Sequence, residues 1–309
     1  MRIITLFFMI FPFMASANIL PLDDALRATY TACVGIDDEL ADLKKMAGIN
    51  TAITSVGTAA GIGATVTGLV KADKDKHIEI KLEKLREIEQ KNPDLQSTDA
   101  EWDNFESGLT TELANAKIEV EKYQAEIEKL KQQSKKLGNW RTGLMAGATA
   151  TNVAGAIIAG TNKVDGDLKT QIDNCINNVK TLQNSIMQAR INGEDVSEAE
   201  SIASACVEYE YADVSKINNR GRGAFVSSAV GAATGLAGTV TSATANSKKT
   251  RNDNTESGKQ KEKNLNTASN VLAGATTAAS ATATVFNATQ ISAIKKVAAV
   301  AEKCTGVLK

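Results

Sequence analysis

The chain is poor in aromatic residues, proline and histidine. Aromatics make up 4% of its 309 residues, and Phe7, Phe8, Phe11 and Phe13 crowd into the start of the chain. Three prolines and one histidine occur in all. A single imidazole and no Cys/His cluster argue against a His-based metal site or a Ser-His-Asp triad. No motif of the GxxxxGK[ST], HExxH, CxxC or GxSxG kind occurs. The formal net charge of −1 carries no basic excess for nucleic acid. A charged fraction of 23% is too high for a polytopic membrane protein, and an apolar fraction of 43% is too high for a disordered chain. The composition points to a non-enzymatic protein with no cofactor, metal or small-molecule substrate.

What is present begins with an address. Met1-Arg2 is positive, Ile3 to Met14 is apolar, and Ala15-Ser16-Ala17 offers a small-x-small cleavage site. This reads as a secretory signal peptide over 1–17, because the apolar run is too short to span a bilayer. The expected location is exported: periplasm, cell surface or secreted, with membrane association open.

The chain then repeats itself. Val56-Gly57-Thr58-Ala59-Ala60-Gly61-Ile62 matches Val230-Gly231-Ala232-Ala233-Thr234-Gly235-Leu236, and Met145-Ala146-Gly147-Ala148-Thr149 matches Leu272-Ala273-Gly274-Ala275-Thr276. Each copy runs cysteine, helix, small-residue segment, charged tip, small-residue segment, helix, cysteine. The expected fold is all-α, two tandem antiparallel helical hairpins. Repeat one covers 18–180 with a tip at 72–140, a connector covers 181–195, and repeat two covers 196–309. Four cysteines in an oxidising compartment suggest two disulfides. The duplication selects Cys33–Cys175 and Cys206–Cys304, with a Cys175–Cys206 bridge between copies as the competitor.

Four stretches are nearly free of charge: Met46–Val70, Thr142–Asn162, Gly223–Ser247 and Asn264–Ile294. No proline interrupts them, and small residues recur at helical spacing. The expected packing residues are Gly57, Gly61 and Gly68, then Gly143, Gly147 and Gly155, then Gly231 and Gly235, then Ala273 and Ala281. Such stripes let helix backbones approach closely. Each interior Gly costs roughly 0.5–1 kcal/mol relative to Ala, so the segments need partners. The stretches are long enough to cross a bilayer but only weakly apolar.

The first tip changes character. Leu109, Leu113, Ala116, Val120, Tyr123, Ile127, Leu130, Ser134 and Leu137 alternate steps of four and three, a heptad seam expected to form a coiled coil. Two functions fit. One is a structural or interaction protein of the envelope or surface, self-associating through its small-residue stripes. The other is a membrane-inserting protein that resembles, in general design only, the α-helical pore formers.

Overall fold

The computed structural model describes residues 20–92, 111–164, 166–251 and 255–308. The signal peptide expected at 1–17 and the seam residue Leu109 lie outside them, as does the Leu113 side chain. The described chain is all-α with no strand. Its helices are α1 (Leu22–Cys33), α2 (Ile36–Lys91), α3 (Thr111–Thr161), α4 (Gly166–Ile191), α5 (Ser197–Cys206), α6 (Val214–Ala245), the short α7 (Lys248–Arg251) and α8 (Glu256–Leu308), with a 3-10 turn at Val207–Tyr211. Gly35 breaks the chain between α1 and α2 with φ of 89°, a conformation that suits a residue without Cβ.

The helices group into two compact units, and each draws on both sequence repeats. One, the disulfide unit, takes Met1–Lys45, Val164–Asn218 and Ser292–Lys309. Here α1 packs on α4, and α4 meets α5 and the 3-10 turn. Its interior is conventionally apolar: Ile36, Leu40, Ile172, Leu182, Ile217 and Ile294 are fully buried.

The bundle unit takes Met46–Lys163 and Asn219–Ile291. Facing residues run in opposite order across every neighbouring pair. Gly57 meets Thr151 while Lys81 pairs with Glu126 between α2 and α3; Gly61 meets Thr277 while Asn50 bonds Asn287 between α2 and α8. Gly235 meets Thr149 while Ser242 bonds Thr142 between α3 and α6. The two hairpins are therefore faces of one antiparallel four-helix bundle.

Burial along each bundle helix alternates steps of three and four. On α2 the buried positions are Ala47, Asn50, Thr54, Gly57, Gly61, Ala64, Gly68 and Lys71. On α6 they are Gly221, Ala224, Ser228, Gly231, Gly235, Gly238, Ser242 and Ala245. In the first tip the same period buries Ala116, Ile127 and Ser134 and half-buries Val120, Tyr123, Leu130 and Leu137. Lys81 there pairs with Glu126 and lies 5.3 Å from the Tyr123 ring centroid.

The second segment departs from its expected stripe. Gly143 and Gly147 are exposed, and a Cβ at either would meet nothing within 4 Å. A step of four residues turns a helix 40° past a full turn, so a run of fours spirals off the contact line. The interior of α3 follows Arg141, Met145, Ala148, Asn152, Gly155 and Ala159 instead.

These positions predict opposite responses to an added side chain. Gly143→Ala should raise stability by up to about 1 kcal/mol through helix propensity alone. Gly61→Leu, whose Cβ would already meet the Thr277 Oγ1 at 2.5 Å and its Cα at 3.1 Å, should lose about 1–3 kcal/mol or more to overpacking. Chemical denaturation of the two variants measures both signs.

Candidate functional site

The cysteines pair as Cys33–Cys175 and Cys206–Cys304, with Cα–Cα distances of 4.8 and 4.5 Å. The Sγ atoms of Cys33, Cys175 and Cys304 all lie within 4.8 Å of one another, so the two bridges are neighbours. Bonded as disulfides, these sulfurs are not thiolate ligands. Two buried disulfides mark a non-reducing compartment.

Inside the bundle unit the usual order of polarity is reversed. Met145, Ala64 and Ala273 form a small buried hydrophobic cluster with Leu144 against it. Along the rest of the bundle amides and hydroxyls are buried with small residues. Asn50 Nδ2 donates to Asn287 Oδ1 at 2.9 Å, and Asn287 Nδ2 donates to Thr54 Oγ1 at 3.4 Å. Thr284 Oγ1 donates to Thr54 Oγ1 at 3.1 Å. Asn152 Nδ2 reaches Ser280 Oγ at 2.7 Å, and Gln290 Nε2 reaches the Asn162 carbonyl at 3.0 Å. Thr234 and Thr276 share a hydrogen bond of 3.0 Å.

Glycine explains how such side chains fit. The Cβ that Gly57 lacks would lie 2.5 Å from Thr151 Oγ1, that of Gly231 2.6 Å from Asn152 Oδ1, and that of Gly235 2.5 Å from Thr149 Oγ1. Gly68 faces Asn270 in the same way. Gly155 faces Thr54, Asn50 and Ser228. Each glycine is a notch into which a polar side chain of another helix projects. At Gly61 and Gly235 the facing backbone also comes close, with the Cα of Thr277 at 3.1 Å and that of Thr149 at 3.3 Å from the missing Cβ. Ala273 is buried in the seam and Ala281 only half-buried.

At the tip-proximal end lies a layer of buried charge. Lys71 and Arg141 are 2% and 1% exposed. Lys71 Nζ bonds Asp75 at 2.6 Å and stands 3.9 Å from Glu262. Ser134 Oγ donates to the other oxygen of Asp75 at 2.5 Å. Arg141 Nη2 donates to the Asn266 carbonyl at 3.2 Å. Burial pulls the Arg141 guanidinium down to about 10, against the pull of Asp75, so it stays charged at neutral pH. Burial likewise holds the Glu262 carboxyl above the usual carboxylate range, opposed by Lys71. In the sequence these residues look like mere flanks of an uncharged stretch; only the three-and-four burial rhythm carried through Gly68 and Met145 reveals them.

Most of the Val, Ile and Leu side chains along the small-residue stretches of the bundle unit point outward, although Met145, Ile127 and Leu85 are buried. Val66, Leu69, Leu236 and Val240 are each more than half exposed. Ile62, Val56, Ile157, Val230, Val271 and Val285 are exposed as well. The helical stretches Leu22–Lys91, Ala114–Ile191 and Val214–Ala245 each contain a window long and apolar enough to cross a membrane, and only 28% of each window is buried.

Comparison with protein families, with curated proteins and with solved structures finds no match.

Two consequences are measurable. Asp75→Asn, which leaves Lys71 buried without its closest partner, should cost about 3–5 kcal/mol, and Lys71→Met should cost clearly less. Removing one bridge as Cys206→Ala with Cys304→Ala should cost about 2–5 kcal/mol. Denaturant unfolding under non-reducing conditions reads both, and an Asp75→Asn protein as stable as the parent would contradict the charge layer.

Proposed function

We propose that this is an exported, non-enzymatic protein whose bundle unit meets a lipid bilayer. The observation that supports it most is the reversal of polarity: amides, hydroxyls and glycines inside, and Val, Ile and Leu outside. Water gives no reason for that order, because an exposed apolar patch of this kind is costly unless something covers it. Hydrocarbon does, since polar side chains in a bilayer turn toward the bundle interior and small residues line the helix contacts. The cleavable leader read at 1–17 and the two disulfides agree with export. Its partner on this reading is lipid, with neither nucleic acid nor a small-molecule substrate involved.

A second reading keeps the glycine stripes as a zipper for self-association at the envelope or surface, with other copies covering the apolar faces. One observation favours it: α8 is absent from the three stretches apolar enough to cross a membrane.

Purified mature protein mixed with dye-loaded vesicles should co-float with them in a density gradient. Val66→Asp and Leu236→Asp, which place a charge on the outer face, should abolish flotation while leaving the far-UV spectrum and the disulfides intact. A monodisperse oligomer that never floats, and that the same two changes dissociate, would overturn the membrane reading and establish the second.

A further inference from the structure

We propose that the tip-proximal rim of the bundle unit, on its α3–α7 side, docks on the anionic headgroups of a lipid bilayer. The inference rests on the reading of the bundle exterior as lipid-facing, and adds to it a headgroup charge and a place. Two stretches of backbone brought side by side build the rim. Asn246, just past the end of α6, donates to Asn139 on α3 and projects into the notch at Gly138. Arg251, in α7, donates from Nη2 to the Lys131 carbonyl at 3.1 Å. Between these two contacts the chain runs back along α3. The backbone of Lys248 and Lys249 therefore passes beside the turn that carries Lys135 and Lys136.

Lys131, Lys135, Lys136, Lys248 and Lys249 are all exposed. Among the described residues none of the five is in an ion pair. No Asp or Glu occurs over 129–163 or over 214–251, so neither stretch supplies a counter-charge. At the same level α2 mixes its signs through Asp73, Lys74, Asp75 and Lys76, where Ser134 donates to Asp75. The unbalanced positive charge thus belongs to the α3–α7 side.

A positive patch attracts any polyanion. Lipid is favoured by the surface that begins where the lysines end. Trp140, 69% exposed, lies one turn past Lys136 on α3. The Thr142–Ser242 hydrogen bond sets it level with the last turn of α6, and the exposed Val240 and Leu236 follow toward the middle of the bundle. On α2 the exposed Leu69 stands at that level too, because Gly68 faces the Arg141 side chain. Ammonium groups, an indole and aliphatic surface succeed one another along the bundle. A bilayer presents the matching order of headgroup, interface and hydrocarbon. A nucleic acid or an acidic protein would answer the lysines and leave the aliphatic zone uncovered.

Co-sedimentation of the full mature chain with vesicles tests the rim, using phosphatidylcholine alone and phosphatidylcholine mixed with phosphatidylglycerol. Binding should be stronger to the anionic vesicles and should fall with added salt. Lys248→Gln with Lys249→Gln should weaken it about 25-fold, about fivefold for each charge lost. Lys295→Gln with Lys296→Gln removes the same charge from exposed positions elsewhere and should leave it nearly unchanged. In a Trp102→Phe background, which leaves Trp140 as the only indole, emission should shift to the blue on anionic vesicles. Equal binding to both vesicle types would overturn the rim and leave the lipid reading standing. Equal losses in the two lysine pairs, or an unshifted emission, would overturn it as well. Binding to neither vesicle would remove the lipid reading and the rim with it. Capture by heparin with no gain from phosphatidylglycerol would assign the lysines to a soluble polyanion and overturn the proposal.

Discussion

The pairing of a glycine on one helix with a threonine or asparagine on another sets the terms for the bundle unit. A Thr hydroxyl at Gly57, Gly61 and Gly235, and an amide at Gly68 and Gly231, fill space that a Cβ would otherwise take. Facing positions held by Gly, Ala, Ser and Thr leave little room for a branched side chain between the helices. Val, Ile and Leu are therefore carried by the outward positions of the same heptads, where Val66, Leu69, Leu236 and Val240 stand. Cohesion comes from close dispersion contact and short hydrogen bonds rather than from apolar burial. This order suits a lipid surround, where apolar surface is not driven inward.

The disulfide unit obeys the opposite rule. Ile36, Leu40, Ile172, Leu182 and Ile294 fill its interior, and the adjoining bridges lie among them. Surface pairs such as Lys180–Glu210 and Lys303–Glu208 decorate its outside. One polypeptide thus contains two kinds of interior, one filled by large apolar side chains and one by small residues and paired polar groups. The repeat, read along the chain, crosses both: every copy begins and ends in the disulfide unit and spends its middle in the bundle.

Much of this was legible in the amino-acid order. Helices without interruption follow from the absence of proline inside the small-residue stretches, and the duplication alone chose Cys33–Cys175 and Cys206–Cys304 among three pairings. In the described part of the seam expected from Leu109 to Leu137, burial from Ala116 to Leu137 follows the steps of three and four, which large apolar residues mark clearly. The continuation of that rhythm into the small-residue segments did not show, because Gly, Ala, Ser and Thr occupy inside and outside positions alike. Steps of four looked as good as alternating steps, and so Gly143 and Gly147 were grouped with Gly155, which faces the interior. The matched runs Met145–Thr149 and Leu272–Thr276 mislead for the same reason: Met145 is buried, whereas its counterpart in that match, Leu272, is only half-buried beside the buried Ala273. Asn50, Asn152 and Arg141 were hidden because polar residues are assigned by default to the outside, and only an interior of small residues leaves them space within.

The bridges join residues 142 and 98 positions apart. Each bridge accordingly closes its stretch of chain into a covalent ring. A protease that severs the chain once anywhere between Cys33 and Cys175 opens the ring without releasing a fragment. The nicked molecule stays in one piece until a reductant arrives, so a chain cut once in a non-reducing compartment remains a single covalent object.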